Sequence, residues 1–206
     1  MDVRGAACLV TGASSGIGAA TAQALSSRGA RVVVAGSDPD RTAEVAARVG
    51  GAALVHDLAQ PGAAADLAAA AAAVHGRVDV LVNNAGVGWA GSFAEMPEGE
   101  IRRLVQVDLT AAVELTRALL PGMLERGRGH VVSVGSVAGH AGGRGEAVYA
   151  ACKAGLAAFA EALRQEHRDA PVGFSVVIPG AVATPFFARR GAPYARSFPR
   201  PVPPGR

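Results

Sequence analysis

Tyr149 and Lys153 stand four residues apart in a stretch that reads as one helix over 147–168. Residues i and i+4 share a helix face, so the phenol and the ammonium point into the same space. There the positive charge favours the phenolate and lowers the phenol's pKa, which offers a general acid near neutral pH. Taken alone the pair reads first as two surface neighbours, so the elements that position it have to decide.

Those elements alternate. The apolar run 6–10 ends in Thr11 and Gly12, and 16–28 then follows helical periodicity through Ile17, Ala20, Ala24 and Leu25. Gly29 closes that helix, and 31–35 is a β-branched run with the length of a buried parallel strand. The series continues with a helix over 39–49, a strand 52–55, a helix 61–75, a strand 78–82 and a long helix 97–126. A strand 130–134, the Tyr149 helix and a strand 172–178 complete it. Repeated strand and helix units imply an α/β fold, a parallel sheet with helices on both faces.

The first strand–helix turn spaces its glycines as G-x-x-x-G-x-G, through Gly12, Ser14, Ser15, Gly16, Ile17 and Gly18. Gly12 permits a sharp exit from the strand, Gly16 lets backbone approach a pyrophosphate, and Gly18 lets the helix pack closely. The helix N-terminus adds unpaired N–H groups and a favourable dipole, and Ser14 and Ser15 add hydroxyls. An ordinary glycine-rich turn is the alternative in so glycine-rich a chain. No Lys follows as a P-loop requires, so a nucleotide triphosphatase is excluded at its central residue.

Taken together, this turn, Asn83-Asn84-Ala85-Gly86 after strand four, Ser136 thirteen residues before Tyr149, and Lys153 resemble the short-chain dehydrogenase/reductase family. The resemblance runs from residue 6 to about 186 and takes in Asp57 and Leu58 after strand three and Pro179, Gly180 and Thr184 after strand six. It implies a doubly wound Rossmann sheet of order 3-2-1-4-5-6 with a dinucleotide across the carboxyl ends of the strands. By the same resemblance Tyr149 moves the proton at the substrate oxygen and the nicotinamide carries the hydride. Lys153 holds the nicotinamide ribose and lowers the pKa of Tyr149, while Ser136 hydrogen-bonds the substrate carbonyl. Asn84, Ala85, Gly86, Asp57, Leu58, Pro179, Gly180 and Thr184 line the cofactor with the glycine turn, Tyr149 and Lys153.

Two places depart from the family pattern. Asp108 stands in the long fourth helix where the family places a catalytic Asn that supports a proton-relaying water behind the Lys. An aspartate accepts the same hydrogen bonds, cannot donate when ionised, and stabilises the ammonium beside it. After Thr184 the chain turns Arg-, Pro- and Gly-rich, where the family runs on through a further helix and a seventh strand. Residues 185–206 therefore read as an irregular tail or partial substrate lid on a single 1–206 domain. Strand six is then expected to be an open edge that pairs with another chain, homo-oligomer formation included, or finds a different cover.

Cofactor choice is decided past strand two, where an acid holds a ribose 2′-hydroxyl and repels a 2′-phosphate. Gly36 occupies that place, with Ser37 and Arg41 as donors, so the expectation leans to NADP over NAD. Asp38 argues the other way unless it only caps the helix that Pro39 begins. His140, Trp89, Phe186 and Phe187 fall near the expected pocket and suggest an apolar carbonyl or secondary alcohol as substrate.

The net charge of +3 on 206 residues is small and its basic residues are scattered, the densest group being Arg189, Arg190, Arg196, Arg200 and Arg206 in the tail. No nucleic-acid partner is expected. Cys8 and Cys152 read as buried thiols, no Cys/His set has metal-ligand spacing, and no metal is expected. No leader precedes the first strand, and the Ala-rich run 62–74 falls short of the ~20 apolar residues of a span, so a cytoplasmic protein with no membrane contact is expected. Two function classes remain: an NAD(P)-dependent oxidoreductase, or a truncated, non-catalytic dinucleotide-binding module that senses redox state or binds partners.

Overall fold

A computed structural model of the chain describes residues 2–191 and 200–205. Arg196, Arg206 and part of the expected tail lie outside the described residues. Among the described residues six strands form one sheet: β1 (Ala7–Val10), β2 (Arg31–Gly36), β3 (Ala52–Val55), β4 (Val80–Asn83), β5 (Gly129–Val134) and β6 (Val172–Val177). Their order is β3-β2-β1-β4-β5-β6 and every pair is parallel, as the alternation and the resemblance imply. Cys8 pairs with Val32 on one side and Val80 on the other, which places β1 centrally and explains why all four of its residues are buried.

Side chains of the central strands alternate between two cores. Leu9, Val33, Leu81 and Val131 join Leu67 of α3 (Ala63–His75) and Leu115 and Met123 of α5 (Ala111–Glu125). Cys8, Val10, Val32, Val34, Val80 and Val82 join Ala22 of α1 (Gly16–Ser26) and Val45, Ala46 and Val49 of α2 (Pro39–Val49). Leu81 is wholly buried, and truncating such a leucine to alanine costs about 2–5 kcal/mol. Alanines at 63, 64, 68 and 71 on the buried face of α3 bring it close to the sheet.

The expected helix over 97–126 is three pieces. A helix α4 (Glu98–Val105) runs into a π turn, Gln106–Thr110, before α5 continues. The widened turn is set by packing, not by a Gly or Pro in the sequence, and Asp108 lies inside it. Two short helices were also not expected: α6 (Ala138–Ala141) just after Ser136, and α8 (Phe186–Arg189) just after Thr184. The Tyr149 helix, α7, spans Ala147–Glu166.

β6 is the outermost strand among the described residues, and its last residue, Val177, is half exposed. Arg164 of α7 donates through Nε and Nη2 to the Phe174 carbonyl at 3.2 and 3.1 Å, satisfying one acceptor of that strand. Beyond its end the chain terminus returns, with Val202 bridging Val182 in parallel through bonds of 2.8 and 3.0 Å to Ala183 and Ala181. No helix of the described residues is long and apolar enough to cross a membrane.

Candidate active site

The carboxyl ends of the strands open into a cleft of about 860 Å³. One end is the glycine turn. Gly12 (φ +60°) and Gly16 (φ +57°) adopt left-handed backbone that costs a side chain strain. A Cβ on Gly12 would stand 2.7 Å from Ala85 Cα, and one on Gly16 would stand 3.0 Å from Thr184 Cγ2. Asn84 braces this turn, its amide donating to the carbonyls of Thr11 (2.8 Å) and Gly12 (3.2 Å). Thr11 completes the brace: its hydroxyl donates to the Val82 carbonyl at 3.2 Å and accepts the N–H groups of Asn84 and Ala85, both at 3.0 Å. Thr11 was inside the motif but unassigned, and only its burial between β1 and β4 reveals the role.

Of the residues expected on the cofactor, Gly12, Ser14, Ser15, Gly16, Ile17, Ser37, Arg41, Asp57, Leu58, Asn84, Ala85 and Gly86 line the cleft. So do Tyr149, Lys153, Pro179, Gly180 and Thr184. Gly18 does not line it. It lies behind the turn, where a Cβ would fall 2.5 Å from Asn84 Nδ2 and from the Gly12 carbonyl, so its role is close packing. The Ser15 side chain caps no N–H of α1, which leaves that N-terminus facing the cleft. Gly36 packs too closely for any side chain, a Cβ there meeting Thr42 Oγ1 at 2.6 Å. Asp38 is the N-cap of α2: Oδ1 accepts the Arg41 N–H at 2.9 Å and Oδ2 pairs with the Arg41 guanidinium at 2.8 Å. Asp57 turns one oxygen onto the Ala59 N–H at 3.0 Å.

At the other end, Ser136, Tyr149 and Lys153 converge. The Lys153 ammonium is buried, 3.3 Å from the Val134 carbonyl and 5.6 Å from the centre of the Tyr149 ring. Asp108 stands behind it, outside the cleft lining and with its side chain wholly buried. Oδ2 accepts the Val87 N–H at 3.1 Å. Oδ1 lies 3.2 Å from Lys153 Nζ, an ion-pair distance, and faces that ammonium without a well-aligned hydrogen bond. Both oxygens face donors, so an ionised carboxylate fits the pocket and a protonated one would set O–H against N–H. The Lys153 pKa is accordingly raised: burial works against the charge, and Asp108 and Tyr149 outweigh it. Burial pushes Asp108 itself up, against Lys153, the Val87 N–H and Arg103.

The Tyr149 phenol departs from expectation. Its pKa is raised, because burial and the Asp108 charge outweigh Lys153 and the neighbouring Ser136 hydroxyl, which lower it. The i, i+4 spacing put the ammonium in reach, and what the spacing did not carry was the depth of the site and the second charge behind the lysine. Ser136 also takes the Ala138 N–H at 3.1 Å, so it caps the start of α6 while facing the cleft. Burial raises the Cys152 thiol to about 11, leaving it inert beside Lys153.

The aromatic candidates divide. Phe186 and Phe187 line the cleft, and the Phe186 ring lies 5.4 Å from that of Tyr149. Trp89 lines instead an adjoining recess of about 10 Å³ with Phe93, Met96 and Val148, behind Tyr149, and His140 is exposed outside the cleft. Glu146, Arg189 and Arg190 line the cleft without having been expected there; Arg189 and Arg190 had been read only as part of the basic tail.

Against known proteins, a family model described as short chain dehydrogenase matches residues 6–195. The "Ketoacyl reductase HetN" of Nostoc sp. is 40% identical over 87% of this chain and 64% of its own length. The "Dehydrogenase/reductase SDR family member 7B" of Rattus norvegicus is 35% identical over 88% of the chain and 59% of its own. The chain thus spans about three fifths of these relatives' length. The Escherichia coli "3-oxoacyl-[acyl-carrier-protein] reductase FabG" is 33% identical over 89% of the chain and 76% of its own. Among solved structures, a short-chain dehydrogenase from Sphingobium yanoikuyae in complex with NADPH superposes with TM-score 0.89 at 32% identity, covering 96% of this chain and 79% of that one. A 3-ketoacyl-(acyl-carrier-protein) reductase from Brucella melitensis complexed with NADH gives TM-score 0.91 at 27% identity, over 98% and 87%. Sheet order, glycine turn and these matches agree, and the chain belongs to the short-chain dehydrogenase/reductase family of NAD(P)-binding oxidoreductases.

Proposed function

We propose that the protein reduces a ketone carbonyl on an apolar substrate at the expense of NADPH. The observation that carries this is the convergence of Ser136, Tyr149 and Lys153 at one end of a cleft whose other end is a glycine cradle over a helix N-terminus. The cradle, Ser37 and Arg41 fit a dinucleotide carrying a 2′-phosphate, because Gly36 admits no acid and Asp38 is spent on capping α2. When bound, the reduced nicotinamide supplies the hydride. Tyr149 donates the proton to the carbonyl oxygen, and Ser136 donates a hydrogen bond to that oxygen as charge develops on it. The Lys153 ammonium stabilises the phenolate that remains, and Asp108 holds Lys153 charged. A phenol kept protonated by burial is ready to donate its proton at neutral pH.

The ketoacyl reductases among the relatives make 3-oxoacyl thioesters the first compounds to try, followed by apolar ketones. Turnover is read as loss of NADPH absorbance, with cofactor binding measured separately by fluorescence. NADPH-dependent turnover supports the proposal. Cofactor binding without turnover on any carbonyl would contradict it and leave a binding module.

A further inference from the structure

The segment after β6 crosses the mouth of the cleft and is fastened at both ends. At the glycine-turn end Arg189 Nη1 donates to Ser15 Oγ at 3.3 Å, and Thr184 lies against Gly16. At the other end Arg190 forms an ion pair with Glu146, the residue that precedes α7. Both side chains of that pair are largely buried, Arg190 at 12% and Glu146 at 18% exposure, which separates it from the solvated pairs on the helix surfaces. The Arg190 guanidinium also lies 4.8 Å above the Phe187 ring. Gly88 makes room beneath, since a Cβ there would meet Arg190 Cβ at 2.8 Å and Phe186 Cζ at 2.9 Å. The result is an aromatic roof whose Phe186 ring packs on Tyr149.

We infer that Glu146 is a positioning residue: its ion pair with Arg190 latches the 186–190 roof over Tyr149 and so shapes the apolar subsite that receives the substrate's carbonyl end. The latch acts on two things at once. It fixes Phe186 against the phenol, and it ties the roof to the first turn of the helix that carries Tyr149, three residues on. An apolar carbonyl compound under this roof is desolvated on one side by Phe186 and Phe187 while its oxygen faces Ser136 and Tyr149. With the roof unlatched, binding of substrate weakens more than the chemical step, because Ser136 is held in the turn between β5 and α6, and Tyr149 and Lys153 by α7, not by the roof. This rests on the proposed reductase chemistry for its kinetic consequence, though not for the latch itself.

The test uses the full chain with Glu146→Gln and, from the other end of the pair, Arg190→Gln. Hydrogen exchange of the 186–190 amides in the unliganded protein reads the latch without any turnover. Arg189 and Arg190 donate to the carbonyls of Pro185 and Phe186 at 3.1 and 3.2 Å, and these two amides are expected to exchange about tenfold faster or more in either variant. In steady state the substrate KM rises severalfold while kcat changes less, and the reversed pair Glu146→Arg with Arg190→Glu brings both exchange and KM back toward wild type. Exchange matching wild type in both single variants overturns the latch. A fall in kcat with KM unchanged overturns its role in substrate binding. If wild type turns over no carbonyl, the reductase reading fails and the exchange result still decides the latch.

Discussion

Asp108→Ala is the perturbation whose size follows most directly from the structure. Among the described residues it removes the carboxylate paired with an ammonium that is 4% exposed, and leaves that ammonium with the Val134 carbonyl at 3.3 Å and the Tyr149 ring as its neighbours. Breaking a buried pair from one side costs about 3–5 kcal/mol, because the remaining charge stays desolvated. The Val87 N–H also loses its acceptor, a cost of about 1–3 kcal/mol in isolation. These costs overlap, because the exposed Gly86 face lets water reach the emptied pocket, so the expected loss is about 3 kcal/mol against a total stability of roughly 5–15 kcal/mol. Urea unfolding followed in parallel by circular dichroism and by the fluorescence of the single tryptophan, Trp89, measures it. Removing both charges in Asp108→Ala with Lys153→Met is expected to recover most of the loss, since a buried pair exchanged for apolar groups is close to neutral. Lys153 is raised in the folded state, so its contribution is complete below the ordinary lysine range and is lost only as pH rises through the folded value. The gap between wild type and Asp108→Ala should therefore persist through neutral pH and close on the alkaline side, as Lys153 loses its proton. A cost under about 1 kcal/mol, or a double variant whose loss is the sum of the singles, would refute the buried ion pair.

Further outcomes follow from other parts of the fold. Gly16→Ala puts a side chain on left-handed backbone and 3.0 Å from Thr184, and should weaken NADPH binding about tenfold or more in a fluorescence titration with the fold retained. Arg41→Ala should raise the NADPH dissociation constant about tenfold and leave NADH nearly unchanged, the loss of one charged hydrogen bond to a 2′-phosphate. Equal effects on both cofactors would remove Arg41 from that role. Asp79 is a buried carboxylate that burial pushes up, yet the Ala7 N–H at 3.0 Å together with Arg77 and Arg128 brings its pKa below the ordinary value. Its stabilising contribution is then present above the ordinary carboxylate range and lost as pH falls through the folded value. Asp79→Asn should accordingly be less stable than wild type at pH 7 and approach it in acid, as thermal melts across pH will show.

What was legible in the sequence was what single residues demand locally. Gly12 and Gly16 were legible as a sharp exit and a close backbone approach, Asp38 before Pro39 as well placed to cap a helix, and the β-branched run of β2 as a buried parallel strand. What was not legible depends on distances between segments. The π turn around Asp108 arises where α4 and α5 adjust to α7, and no residue in 97–126 announces it. The direction of the Tyr149 pKa is a balance of burial, Lys153, Asp108, Ser136 and Cys152, of which spacing along α7 revealed only the part played by Lys153. The Glu146–Arg190 pair joins segments separated by α7 and β6, and neither residue type is unusual where it stands.

The central claim is that Tyr149 transfers the proton, and kcat/KM for NADPH-dependent reduction by wild type and Tyr149→Phe tests it most directly. The account predicts a loss of about 10²–10⁴-fold with NADPH binding retained, the contribution of a positioned general acid. A Tyr149→Phe protein that reduces the same carbonyl as fast as wild type would contradict it.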